Sequence, residues 1–170
     1  HSFPTRRSSD LVVILAVLAS VLVLSVGAGD EEQRLRREVE RLRARIVYAC
    51  ERAELTGREI GLHLRAGGYA FSALQGEGWQ FIDDDPALKR AELAKAITLS
   101  AGDDALADTF AERPQFLCFA SGETTPLVIE FAAGPRASRW RIDIAFDGGT
   151  MVQQFGLEHR DWRTVGQARP

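Results

Sequence analysis

The residues able to do chemistry in this sequence are few, and their spacing argues against most of it. Cys50 and Cys118 stand far apart, and His1, His63 and His159 cluster neither with them nor with one another. Zinc ligands come in short paired motifs, so no metal ligand set is expected. Asp83, Asp84 and Asp85 form an acidic run before Pro86. Calcium takes about six to eight oxygen ligands at set spacing; no such array follows, and the run reads as a solvated turn. Ser121 lies in Ser-Gly-Glu-Thr, which lacks the elbow that presents a hydrolase nucleophile. No glycine-rich phosphate loop is present. His159 is isolated, and His63 alternates with Leu62 and Leu64, which predicts a side chain pointing outward from a strand. Neither an enzyme, a catalytic residue nor a cofactor is expected.

Arg160, Arg163 and Arg169 form a basic group near the end of the chain that could contact DNA phosphates. Glu158 and Asp161 dilute it, and the formal net charge of the chain is -3. Phosphate contacts need a surplus of positive charge, so nucleic acid is not an expected partner. The 170 residues allow one modest domain plus an extra element. With 45% hydrophobic and 26% charged residues the chain is expected to fold as a globular protein.

The elements that carry these residues begin with two unlike pieces. The opening string His1-Ser2-Phe3-Pro4-Thr5-Arg6-Arg7-Ser8-Ser9-Asp10-Leu11 reads like the in-frame translation of a sequencing adapter. Residues 1–10 are therefore set aside, as a fusion scar would be. Residues 11–29 carry no charge and only two serines. Leu11, Val12, Val13, Ile14, Leu15, Val17, Leu18, Val21, Leu22 and Leu24 dominate the segment. About 20 apolar residues span a bilayer core as a helix. A buried core helix would show a polar face, and a cleaved secretory signal has a shorter apolar part of about 7 to 15 residues. Residues 11–29 are thus expected to be a retained transmembrane helix. Asp30, Glu31, Glu32 and the whole remaining domain follow it, which favours an exported domain behind an N-terminal anchor.

After Gly27 and Gly29, Asp30 is placed to cap a new helix over residues 30–55, with Gln33 completing a capping box. Leu35, Val39, Leu42, Ile46, Ala49 and Ala53 recur at steps of four and three. They share one face, which must be buried. Between them lie Arg34, Arg36, Arg37, Glu38, Glu40, Arg41, Arg43 and Arg45, a solvated face with ion pairs of about 0.2–0.5 kcal/mol each. A two-part helix over residues 11–55 would be roughly 65 Å long at about 1.5 Å per residue.

Past Gly57 the period becomes alternating. Residues 59–64, 69–74 and 79–82 read as a meander turned at Ala66-Gly67-Gly68 and at Gly76-Glu77-Gly78. A polar stretch over residues 83–95 follows, and then short strands over residues 97–99, 115–120, 127–131 and 140–146. Residues 59–155 are expected to be mainly strand and residues 156–170 a C-terminal tail. An amphipathic helix needs something to cover. The expected fold is therefore α+β, a long N-terminal helix, first transmembrane and then amphipathic, packed on a small antiparallel β-sheet or sandwich head. In the oxidising compartment of an exported domain, Cys50 and Cys118 could form a disulfide if packing brings their Cα atoms within about 7 Å. Otherwise they are small buried thiols.

A helix that is first lipid-like and then amphipathic, followed by an antiparallel head, resembles the type IV pilin and pseudopilin superfamily. Two stretches narrow the resemblance. Residues 43–62, including Tyr48-Ala49-Cys50-Glu51 and Leu55-Thr56-Gly57-Arg58, are similar to the helix end and first strand of the type II secretion protein H family. Residues 114–127, with Ser121-Gly122-Glu123 before Thr125-Pro126, look like that family's later strand, turn and strand entry.

The resemblance implies a minor pseudopilin, a structural subunit at or near the tip of a filament that supports protein export across the outer membrane. It implies a single-pass protein of the bacterial inner membrane whose residues 30–170 form a periplasmic domain. Its partners would be other minor and major pseudopilins, the inner-membrane assembly platform and membrane lipid. Family members carry a cleaved basic leader before a Phe-Thr-Leu-Ile-Glu type sequence; that sequence is absent here. The alternative is a minor pilin of the DNA-uptake type, using Arg160, Arg163 and Arg169.

Overall fold

The computed structural model describes residues 6–134, 138–156 and 160–168, and over residues 6–28 it describes the backbone together with the side chains of Val13 and Ile14. Helix α1 (Arg6–Thr56) runs for 51 residues. The expected break does not occur: Gly27, Gly29 and Asp30 all lie inside the helix, so Asp30 caps nothing. An isolated glycine in a helix costs only about 1 kcal/mol and keeps its N–H donor, so without a proline the backbone ladder continues. The helix stops at Gly57, whose φ of 63° is left-handed. The Arg58 N–H then donates to the Ala53 carbonyl at 3.2 Å, closing a Schellman-type end.

Among the described residues eleven strands follow, in two antiparallel sheets. The first contains β1 (Ile60–Arg65), β2 (Gly68–Gln75), β3 (Gly78–Phe81), β4 (Ala91–Glu92) and β7 (Phe116–Cys118), ordered β3-β2-β1-β7 with β4 also paired to β2. The second contains β5 (Ile97–Ala101), β6 (Asp104–Ala105), β8 (Leu127–Ala133), β9 (Arg139–Ile144), β10 (Thr150–Gly156) and β11 (Asp161–Ala168), ordered β11-β10-β9-β8-β5-β6. The expected tail is thus largely strand: β11 pairs with β10 along its whole length, from Gly156↔Asp161 to Thr150↔Ala168.

The core lies between α1 and these sheets. Leu35, Val39, Leu42, Ile46, Ala49 and Ala53 are each no more than 1% exposed. They meet inward residues of the second sheet such as Ile129, Phe131, Ile142 and Val152, and of the first such as Leu62, Tyr69 and Phe71. Burial of each of the larger side chains stabilises the fold by about 1.5–3 kcal/mol.

The first sheet is covered on both faces, which corrects one expectation. His63, expected to point to solvent, is 1% exposed. Along the β1 edge, Ala66 donates to the Ala107 carbonyl, Gln115 N–H donates to Leu62, and the Gln115 side chain accepts from Leu64 N–H and donates to Leu64 O, imitating a strand backbone. The irregular segment then lies over the outer face, where the Ala111 carbonyl meets His63 and Pro114 lies against Gly61.

Candidate assembly interface

Besides the buried stripe and a hydrogen bond from Arg45 to the Lys89 carbonyl, three fastenings among the described residues hold α1 to the head. Nearest its apolar run, the Glu32 carboxylate accepts from the Trp140 indole N–H at 2.8 Å, from Gln154 Nε2 at 2.9 Å and from the Ser138 N–H at 3.3 Å. These donors sit at the start of β9 and the end of β10. Near the helix C-terminus, Cys50 and Cys118 are joined by a disulfide, with Cα atoms 4.9 Å apart. Helix packing brings them together, because Cys50 lies on the edge of the buried stripe and Cys118 ends β7.

The third fastening centres on Asp85. It pairs with Arg52 and accepts from the Tyr48 hydroxyl at 3.1 Å and the Ala87 N–H at 2.8 Å. Partial burial pushes its carboxyl up, but the Ala87, Tyr48 and Arg52 donors outweigh that and hold it below the usual value. Asp83 pairs with Arg90 at 3.3 Å instead. Of the acidic run Asp85 alone docks the helix, while Asp83 and Asp84 are exposed as in a solvated turn, and among the described residues no three His, Cys, Asp or Glu side chains gather into a metal cluster.

Outward from these fastenings, α1 shows Ala44, Tyr48 and Leu55 among charged residues, with Leu55 87% exposed. On the outer face of the second sheet, arginines stack on aromatics. The Arg141 guanidinium lies 4.3 Å from the Trp162 ring, Arg139 lies 4.8 Å from the Phe155 ring, and the two rings meet edge to face at 5.4 Å. Such Arg and aromatic groups recur where proteins bind partners.

An open cavity of about 420 Å³ lies beside the end of α1, lined by Arg52, Thr56, Arg58, Gln75, Ile82 and Asp84 among others. His63 lies apart, on the first sheet. Its Nδ1 meets the Ala111 carbonyl at 3.0 Å and its Nε2 meets the Ser72 hydroxyl at 2.8 Å. A carbonyl only accepts, so the proton is on Nδ1 and Ser72 donates to Nε2. Burial lowers its pKa from 6.5, opposed by the Ala111 hydrogen bond.

Among the candidate anchor residues, Val13 and Ile14 are 60% and 55% exposed. The side chains of Leu11, Val12, Leu15, Val17, Leu18, Val21, Leu22 and Leu24 lie outside the described residues. Among the described residues no helix is long and apolar enough to cross a membrane. Of the candidate DNA-contacting arginines, Arg163 is exposed on β11 and Arg160 occupies the turn before it, with φ 50°; Arg169 lies outside the described residues. The Glu32 cluster and the arginine–aromatic stack were not anticipated. The alternation in Arg139-Trp140-Arg141-Ile142 was the available signal for an inward Trp140 between outward arginines.

A long helix docked on an antiparallel head through one buried stripe defines the pilin-like class of assembly subunits. Within that class the chain belongs to the family described as type II transport protein GspH, which its residues 38–148 match. It is 25% identical over 134 residues to the type II secretion system protein H of Aeromonas hydrophila, covering 70% of this chain and 73% of that one. In fold it is similar to a crystal structure of the minor pseudopilin EpsH of Vibrio cholerae, at TM-score 0.57 and 20% identity over 82% of this chain and 98% of the other. The solution structure of E. coli GspH matches at TM-score 0.52 and 18% identity, covering 81% and 89%. Nothing among these relatives supports the DNA-uptake alternative.

Proposed function

We propose that this chain works as a minor pseudopilin at or near the tip of the pseudopilus, where it supports export of folded proteins across the outer membrane. In this reading residues 11–29 hold it in the inner membrane as a single-pass protein, and residues 30–170 lie in the periplasm. The observation that carries the reading is the continuity of α1: hydrogen bonds from helix to head begin at Glu32, and the same helix extends upstream through the apolar run. Apolar helices that pack on one another let a subunit leave lipid for a filament without exposing their surface to water. Anchoring and assembly then use one surface, and no catalytic step is required.

The partners are other minor and major pseudopilins, the inner-membrane assembly platform and lipid. The test is co-purification of the full chain with the other minor pseudopilins of its operon, together with restoration of export in a strain lacking it. A stable complex and restored export support the reading. No complex, no export and salt-sensitive DNA binding would overturn it.

A further inference from the structure

The cavity beside the end of α1 has walls of unlike chemistry. Its apolar floor is Ile60, Ala73 and Ile82, and both isoleucines are buried. Its charged walls are Arg52, Arg58 and Asp84. Arg52 is already paired with Asp85. Arg58 and Asp84 are exposed, and among the described residues neither forms an ion pair, with the other or elsewhere. The left-handed turn at Gly57 ends the helix and delivers Arg58 to one wall, while Asp84 comes from the turn that follows β3.

With Arg52 neutralised by Asp85, the lining presents one open cation and one open acid, and these cancel. That balance favours neither a simple anion nor a simple cation; it matches a ligand that carries both charges. The helix end reinforces the acidic side, because carbonyls at a helix C-terminus attract cations and the last turn of α1 holds no basic residue. Thr56 of that turn lines the cavity. On the other side, the guanidinium of Arg58 can grip a carboxylate through two parallel N–H donors. The volume of about 420 Å³ lies toward the small end of the range of about 300–1,000 Å³ for ligand sites. With residues 11–29 as the anchor, a zwitterionic lipid headgroup is out of reach. Residues 30–52 separate Arg52 from the apolar run, about 35 Å along the axis at about 1.5 Å per residue.

We propose that this cavity binds a zwitterion of the size of an apolar amino acid or dipeptide. Its carboxylate meets Arg58, its ammonium lies between Asp84 and the end of α1, and its side chain rests on Ile60, Ala73 and Ile82. The ligand bridges the helix end, β1 and the Asp83–Asp85 turn, beside the Arg52–Asp85 fastening, so its binding stabilises the docked helix. The site goes beyond the pseudopilin reading, and either can fall alone, because ligand titration reads neither export nor co-purification.

The test titrates the full chain, in a non-ionic detergent, with leucine, leucylleucine, N-acetylleucine and leucinamide by calorimetry. Saturable binding of leucine or leucylleucine is expected, with N-acetylleucine and leucinamide at least about tenfold weaker, the factor for one lost hydrogen bond to a charged group. The urea midpoint should rise with the ligand that binds. Arg58→Gln and Asp84→Asn should each weaken binding by a similar factor, and Arg34→Gln should not. Near-UV circular dichroism checks the fold of the variants, and the comparison of the four ligands uses the unaltered chain. Tighter binding of leucine assigns a single amino acid, and tighter binding of leucylleucine assigns the dipeptide. No saturable binding of either at millimolar concentration overturns the site. N-acetylleucine that binds as tightly as leucine leaves Asp84 without a role and overturns the zwitterion in favour of the carboxyl end of a protein chain. Binding that survives both Arg58→Gln and Asp84→Asn puts the ligand elsewhere and overturns the assignment to this cavity.

Discussion

The indole N–H of Trp140 donates to Glu32 Oε1 at 2.8 Å, joining residues 108 positions apart. Through this bond the first turn of the helix beyond the apolar run is tied to the middle of a six-stranded sheet. A carboxylate is suited to the place because it accepts several donors at once, and three converge on it.

Glu32→Ala leaves the Trp140 indole and the Ser138 N–H without an acceptor in a partly buried site and Gln154 with only the Ser138 hydroxyl, and the expected loss of stability is about 1.5–3 kcal/mol. Glu32→Gln keeps one acceptor oxygen and should lose less. Urea unfolding of the full chain in mild detergent, followed by near-UV circular dichroism, checks the ranking; equal losses would show that charge and acceptor count do not matter here.

Removing the disulfide with Cys50→Ala and Cys118→Ala frees a loop closed across 68 positions. Chain-entropy arguments assign such a loop about 4 kcal/mol. The double variant is expected to unfold at markedly lower denaturant than the oxidised protein, and wild type treated with a reductant should move toward it. A reductant that changes neither mobility on a gel nor the unfolding midpoint would show that the bond is absent in solution.

His63 gives stability a defined pH dependence. Its folded pKa lies below the unfolded value of 6.5 because burial disfavours the charged ring. The unfolded chain therefore takes up the proton first as pH falls, and stability drops from about pH 6.5 downward until the folded pKa is reached. Above pH 6.5 the group contributes no slope. His63→Gln should flatten that window, which denaturant midpoints measured from pH 8 to pH 5 would reveal.

Gly61 permits a close approach of the covering loop. A Cβ there would stand 2.5 Å from Pro114 Cγ and 3.1 Å from the Trp79 ring. Gly61→Ala must push residues 106–115 off the sheet or shift β1, costing about 1–3 kcal/mol. Faster proteolysis within residues 106–115 and a red-shifted Trp79 emission are the expected signs; an unchanged midpoint would show that the loop has room to give.

Local patterning made much of this architecture readable. The stripe from Leu35 to Ala53 repeats with the helical period, and each of its six residues is buried. The β1–β2–β3 meander was visible in its alternation and in two glycine turns. Non-local partners hid the rest. Residues 161–168 look like a tail because β11 is an edge strand with mostly exposed side chains, and only its pairing with β10 makes it strand. His63 was misplaced because its cover comes from residues 106–115, whose irregular backbone leaves no periodic trace. Glu32 read as one of three acids after the apolar run, and nothing local separates it from Asp30 or Glu31. The stacked arginines required knowing that Trp162 lies across from Phe155.

Because α1 is pinned at Glu32 by hydrogen bonds and at Cys50 by a covalent bond, tension along its axis loads the seam with the head in shear. All six buried side chains of the stripe must slide together, whereas a helix held at one end could be peeled away contact by contact. Force applied to the upstream end of α1 is thus passed to the head as one rigid body, and the domain need not unravel to transmit it.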